Sequence, residues 1–262
     1  MAGCCVGLSV TSPPVPAPAL VVSGLGYDYP DGTTALRGVD LEVAVGERVA
    51  VLGPNGAGKT TLMLQLNGLL RPTSGQVSIG GEVLTDDSVS QIRQQVGMVF
   101  QDPDDQLFMP TVFDDVAFGP RNAGLADDQV NQRVALALEQ VGMAAVADRP
   151  PHHLSLGQRR RVAIATVLSM DPQLLVLDEP SSNLDPSSRR EVAEVLLALG
   201  RTTVMVTHDL PYAALLCPRS VILSQGRIVA DQDTTDLLQN ADLLARHRLE
   251  LPFGFDPATL TA

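Results

Sequence analysis

Apolar residues gather along this chain in short runs bounded by turn residues. They fall at LVVSGLGYDY (20–29), VDLEVAV (39–45), RVAVLG (48–53), QVSIGGEVL (76–84), VGMVF (96–100), LLVLD (174–178), TVMVTH (203–208) and SVILSQGRIVA (220–230). Several are unbroken apolar stretches, the pattern of parallel strands buried on both faces. Between them lie TLMLQLNGLL (61–70), QVNQRVALALEQVG (129–142) and RREVAEVLLALG (189–200), which read as helices. Such alternation predicts an α/β core. Gln225-Gly226, between SVILS and RIVA, predicts a hairpin turn near the end of that core. Residues 102–170 hold no strand pattern, only an acidic loop followed by helices, and predict a helical lobe inserted into the sheet domain. No internal repeat is present. DLLQNADLLARHRLEL, from residue 236, is modestly amphipathic and predicts a terminal helix.

Composition narrows the class. A chain of 262 residues with 45% hydrophobic content can bury one large core. The formal net charge of -12 argues against nucleic acid, whose binding rests on Lys and Arg. The same charge suits docking onto the Lys- and Arg-rich cytoplasmic loops of a membrane protein. No apolar run reaches the ~20 residues needed to span a bilayer. Residues 1–18 lack the basic start of a secretory signal and end in a Pro-rich stretch, so they are expected to be a disordered leader. Cys4, Cys5 and Cys217 form neither a disulfide framework nor a metal-spacing pattern, which fits a reducing cytoplasm.

Three strand ends carry candidate chemistry. GPNGAGKTT (53–61) follows the strand RVAVLG and opens a helix, the context a P-loop requires. Its glycines let backbone amides curl around phosphate oxygens, and the helix N-terminus adds a positive dipole. Gly53, Pro54, Asn55, Gly56, Ala57, Gly58, Lys59, Thr60 and Thr61 are therefore expected to bind nucleotide, with Lys59 on the β- and γ-phosphates and Thr60 offering its hydroxyl to Mg²⁺. LLVLDEP (174–180) ends in two carboxylates: Asp178 is expected to hold the metal and Glu179 to polarise the attacking water. TVMVTHD (203–209) would bring His208 to the same carboxyl edge, in reach of the γ-phosphate.

The P-loop, Gln101, LSLGQ (154–158), LVLDEP, SNLDP (182–186) and His208 occur in this order, and together they resemble the nucleotide-binding domain of ABC transporters. The resemblance implies an α/β P-loop NTPase fold with an antiparallel β subdomain and an inserted helical lobe. It places the ATPase domain at 19–240, with the lobe at about 102–170, followed by a short C-terminal extension at 241–262. It implies ATP and Mg²⁺ as cofactors, with Lys59, His208, Gln101 and Glu179 as catalytic residues and Thr60, Gln101 and Asp178 serving the metal. In that family two copies, identical or not, sandwich two ATP molecules head to tail. Ser155, Gly157 and Gln158 of one copy would meet the γ-phosphate held by the other, and Asp185 would link the two sites. Tyr29 sits where the family places an aromatic ring against adenine. The chain departs from the family pattern at Leu156, where glycine is usual.

QDPDDQLFMPTVFDDVAFGPRNAGL (101–125) closely resembles the matching segment of ATPases from energy-coupling-factor importers, those of the cobalt and nickel type above all. This implies a peripheral protein on the cytoplasmic face of the cell membrane. Its partners would be a transmembrane coupling subunit and a membrane-embedded substrate-binding subunit. Asp104, Asp105, Gln106, Leu107 and Phe108 are expected to begin a groove for the coupling subunit's helix, with apolar anchors and carboxylates for its basic flanks. Vitamin import by the same kind of module remains open, as does a soluble, non-transport ABC-type ATPase.

Overall fold

Strand β1 (Leu20–Asp28) pairs antiparallel with β2 (Thr34–Val43) in a first sheet, and a second begins at β3 (Arg48–Leu52). The computed structural model describes residues 17–257, so the leader expected at 1–18 lies outside the described residues except for Ala17 and Pro18. After β3 the chain forms α1 (Lys59–Leu66), β4 (Ser74–Ile79), β5 (Glu82–Val83), α2 (Val89–Gln95) and β6 (Val96–Val99). Three helices follow, α3 (Val112–Asn122), α4 (Asp127–Gln140) and α5 (Leu156–Leu168), and no strand falls between 102 and 170. The chain then runs through β7 (Leu174–Asp178), α6 (Pro186–Leu199), β8 (Thr203–Val206), α7 (Leu210–Leu216), β9 (Arg219–Ser224), β10 (Arg227–Asp233), α8 (Thr234–Gln239) and α9 (Ala241–Arg246).

The smaller sheet has the order β2-β1-β4-β5 and is antiparallel, while the larger has the order β10-β9-β3-β8-β7-β6. In the larger sheet β9, β3, β8, β7 and β6 run parallel and only β10 is reversed. Successive side chains of a strand point to opposite faces, and here both faces are dry. Val49 and Val51 of β3 join the smaller sheet and the Leu62, Met63 and Leu66 face of α1 in one core. Ala50 and Leu52 point the other way, into a core built with α3, α4, α5 and α6. The β3, β7 and β8 ends that precede the P-loop, Asp178-Glu179 and His208 therefore leave one edge of one rigid sheet together.

Three departures from the sequence pattern have local causes. The run at 76–84 is two strands, because Gly80 and Gly81 both take positive φ and turn the chain back. The helix read at 61–70 begins two residues earlier and stops at Leu66, before Gly68 at φ 69°. The amphipathic stretch from 236 is two helices broken at Asn240, whose side chain accepts from the Leu243 amide. Beyond them, Leu249, Leu251 and Phe255 pack back onto the helical core. Gln225 and Gly226 do form the predicted hairpin turn, with φ of 49° and 77°. Among the described residues no helix is long and apolar enough to cross a membrane.

Candidate active site

The segment from Gly53 to Gly58 connects β3 to α1, and the glycines at its two ends are forced by their neighbours. Gly58 has φ 104°, and a Cβ there would lie 2.7 Å from the Ala35 carbonyl oxygen. At Gly53, φ 152°, a Cβ would strike the Leu223 carbonyl oxygen. No side chain caps the first turn of α1, so the amides of that turn remain available to an anion. Around them opens a cleft of about 590 Å³, whose walls include Tyr29, Lys59, Thr60, Gln101, Asp178, Glu179 and His208. Thr33, Thr34 and Ala35, at the start of β2, line it too, and the sequence carries no signal for them.

Lys59 is half-buried and donates from Nζ to the Gly53 and Pro54 carbonyl oxygens, at 2.6 and 3.0 Å. Burial holds its ammonium below the ordinary lysine value, and the Glu179 and Asp178 charges work against that shift. Burial also pushes the Asp178 carboxyl above its usual range, reinforced by Glu179 and opposed by Lys59 and Arg160. A buried carboxylate beside a second one is stabilised by added positive charge, so Asp178 suits a divalent cation. With the Thr60 hydroxyl and the Gln101 amide on the same cleft, the donors are hard oxygens in the small number Mg²⁺ takes from protein when phosphates and water supply the rest. The residues fit the ion.

Glu179 is buried at 8% exposure and holds a positive φ of 46°, a costly conformation for a residue with a Cβ. Its carboxylate is gripped from two sides: the Thr207 hydroxyl donates to Oε2 at 3.0 Å, and His208 Nδ1 lies 2.7 Å from Oε1. Nδ1 carries the proton whenever that carboxylate is ionised, which leaves the exposed Nε2 side of the ring for the cleft. Tyr29 is tied down through its hydroxyl, 2.9 Å from Thr61 Oγ1, and stands edge-on to Tyr27 with ring centres 4.9 Å apart. Gln101 is exposed and reaches Ser182 Oγ at 3.5 Å.

Ser155, Gly157, Gln158 and Asp185 do not line this cleft. Ser155 caps α5 in a reciprocal box: Gln158 N donates to Ser155 Oγ at 3.3 Å, and Ser155 N donates to Gln158 Oε1 at 3.0 Å. One of the helix's first amides is thus occupied. Val162, Ala163, Ile164, Ala165, Val167 and Leu168 of α5 are buried. Gly157 has a structural cause besides any approach to phosphate, since a Cβ there would lie 2.5 Å from Ser188 Cβ and Oγ. Asp185 caps α6, accepting from the Ser187 and Ser188 amides and from the Ser188 hydroxyl. Those bonds, the Ser188 hydroxyl first, hold its carboxyl below the usual range.

Two residues expected on the docking groove turn inward. Leu107 is buried in the helical core, and Gln106 accepts from the Phe100 amide while donating to the Ala163 carbonyl and Thr166 hydroxyl of α5. Gln106 is therefore a brace between the Gln101 segment and α5. Arg160 is a second brace. It is 1% exposed and donates to the Phe100 carbonyl at 2.8 Å and the Ser182 carbonyl at 3.4 Å. In the sequence it hides inside the charged run Arg159-Arg160-Arg161, whose outer members make surface ion pairs with Asp104 and Glu191. Asp209 is a third: it accepts from Ser181 and Tyr212 N and pairs with Arg189 at 2.7 Å, tying the strand ends to α6.

The family model described as ABC transporter matches residues 36–182. A Streptomyces avermitilis protein, named provisionally as an ABC transporter ATP-binding protein, is 63% identical over 94% of each chain. The energy-coupling factor transporter ATP-binding protein EcfA of Methanothermobacter thermautotrophicus is 50% identical over 87% of this chain and 75% of its own. Among solved structures, CbiO1 of Clostridium perfringens, described as part of the ABC transporter complex CbiONQ, superposes with a TM-score of 0.80 at 37% identity, covering 90% of this chain and 96% of its own. An ATP-binding cassette solved as a dimer in a post-hydrolysis state with ADP and Pi superposes with a TM-score of 0.73 at 28% identity, over 82% of this chain and 98% of its own.

Proposed function

The chain belongs to the ABC transporter family of ATPases, and we propose that it is the ATP-hydrolysing subunit of an energy-coupling-factor importer for cobalt or nickel ions. One observation carries the catalytic part of this reading: Lys59, Asp178, Glu179 and His208 converge on one cleft from three adjacent parallel strand ends. The importer class is supported by the likeness to EcfA and to CbiO1 of a CbiONQ complex. The metal cargo rests on the segment at 101–125 alone.

In this reading the P-loop amides of residues 53–61 and the Lys59 ammonium hold the β- and γ-phosphates of ATP, exchanging the carbonyl contacts of Lys59 for phosphate oxygens. Tyr29 offers its ring to adenine. Thr60 and Asp178, with Gln101 beside them, would hold Mg²⁺, which would supply charge neutralisation for the phosphates. Glu179 accepts a proton from the attacking water, and its orientation is fixed in advance by Thr207 and His208. His208 presents its other ring nitrogen toward the γ-phosphate. Ser155, Gly157 and Gln158, absent from the chain's own cleft, complete the site of a second ATPase subunit, and Asp185 lies at that junction. Hydrolysis is thereby tied to closing and opening of a dimer.

The domain runs from 19 to 240 with its helical lobe at about 102–170, and the motor works at the cytoplasmic face of the membrane. Phe108, 62% exposed, is the apolar anchor for the coupling subunit's helix, with Asp104 and Asp105 for its basic flanks. Co-expression with the membrane proteins encoded beside it tests the reading. ATP-dependent uptake of Co²⁺ or Ni²⁺ supports it, uptake of a vitamin instead would move the cargo, and recovery only in a soluble complex would favour a non-transport ATPase.

A further inference from the structure

Asp115, in the first turn of α3, has no part in the nucleotide cleft, yet it is a carboxylate with only 3% exposure. Among the described residues no cation pairs with it; the neighbouring Asp114 takes Arg121 instead. One oxygen, Oδ1, accepts from the backbone amides of Phe108 and Met109, both at 3.0 Å. The other, Oδ2, is buried and has no partner among the described residues. Burial pushes this carboxyl above its ordinary range. A leucine would fill such a space at less desolvation cost. What a leucine cannot supply is an acceptor shared by two consecutive amides of a loop.

That loop is the one with Phe108 at its crest. Gln106 anchors its start on α5, and Thr111 ends it as the cap of α3, accepting from the Asp114 amide. Between these points Asp115 alone among the described residues holds the backbone of residues 108 and 109 by side-chain hydrogen bonds. Phe108 then stands edge-on to Phe118 of α3, with ring centres 5.0 Å apart, and both rings are exposed, at 62% and 40%. An exposed aromatic pair binds a partner well when its backbone is already ordered, because little further entropy is lost on docking.

We infer that Asp115 is a positioning residue that fixes the Phe108 loop and so presents the Phe108–Phe118 pair to the membrane coupling subunit. The inference deepens the proposed function and rests on Phe108 being the docking anchor. Three variants test it: Asp115→Leu, which keeps volume but removes both acceptors, Asp115→Asn, which keeps Oδ1, and Phe108→Ala. Hydrogen exchange of the full chain should show loss of protection at the Phe108 and Met109 amides by about tenfold or more in Asp115→Leu, with Asp115→Asn close to the parent. In the complex, Asp115→Leu should lower coupled uptake by about fivefold or more, while the ATPase rate of the isolated protein stays within about twofold. Melting curves and Asp115→Ala guard against a packing defect at Leu. Unchanged exchange at those two amides in Asp115→Leu overturns the inference, as does Asp115→Asn failing as badly as Asp115→Leu. Altered exchange with normal uptake, while Phe108→Ala abolishes uptake, also overturns it. If Phe108→Ala leaves uptake normal, the docking reading falls, and the coupling role of Asp115 falls with it.

Discussion

Arg160 of α5 donates from Nη1 to the carbonyl oxygen of Phe100, 2.8 Å away and one residue before Gln101. The bond joins the helix that Ser155 caps to the loop whose glutamine lines the nucleotide cleft, and the Arg160 side chain that makes it is buried. Arg160→Met keeps much of the side-chain volume while leaving the Phe100 and Ser182 carbonyls without these donors. Hydrogen bonds from a charged donor contribute about 1.5–3 kcal/mol each, so the variant should lose about 2–4 kcal/mol of stability. Denaturant unfolding measures this; a loss under about 0.5 kcal/mol would mean the brace contributes nothing.

Thr207 should matter for rate rather than affinity. Its hydroxyl orients Glu179 and also accepts from the Asp209 amide, but it does not line the cleft. Thr207→Val should lower the ATPase kcat by about tenfold and leave KM for ATP within about twofold, whereas Thr207→Ser should restore the parent rate. Steady-state kinetics decide, and a change confined to KM would remove Thr207 from the positioning of Glu179.

Leu156 and Gly157 should respond to different degrees and for different reasons, although both lie in the same motif. Leu156 is half-buried at the first position of α5, and Leu156→Gly should keep ATPase activity within a small factor while costing about 0.5–1 kcal/mol of stability. Gly157→Ala drives a Cβ into Ser188 and should destabilise by about 1–3 kcal/mol. Adding Ser188→Gly removes the obstructing Cβ and should recover part of that loss in a double-mutant cycle. Strict additivity of the two changes would show that the packing argument is wrong.

Cys217 lies in the helical core, and burial pushes its thiol up to about 12. Thiolate is the reactive form, so folded protein should leave Cys217 unmodified by iodoacetamide at neutral pH, and denatured protein should alkylate it fully. Mass spectrometry of the modified peptides measures this, and rapid labelling in the folded state would contradict the burial.

The chain writes its nucleotide cleft openly and its braces faintly. Each of the three strand ends pairs an apolar run with a polar end, and that contrast survives in one dimension. Gly53-to-Thr61, Asp178-Glu179 and His208 are legible for this reason. Arg160, Gln106 and Thr207 act through contacts 60, 57 and 28 positions away in sequence, to Phe100, Ala163 and Glu179, and no local pattern announces such pairings. The same limit explains Leu107 and Gln106, whose acidic and aromatic neighbours read as surface while the fold turns these two inward. The break of the last amphipathic stretch at Asn240 is only weakly marked, because an asparagine between two leucine-rich turns suits a cap or an exposed face.

The most direct test of the account is Glu179→Gln, read by ATP turnover and by light scattering in ATP with Mg²⁺. The geometry around Glu179 predicts that nucleotide still binds, that hydrolysis falls by about a hundredfold or more, and that the protein accumulates as an ATP-bound dimer. Near-normal turnover from a chain that remains monomeric would contradict both the role of Glu179 as general base and the coupling of hydrolysis to a second ATPase subunit.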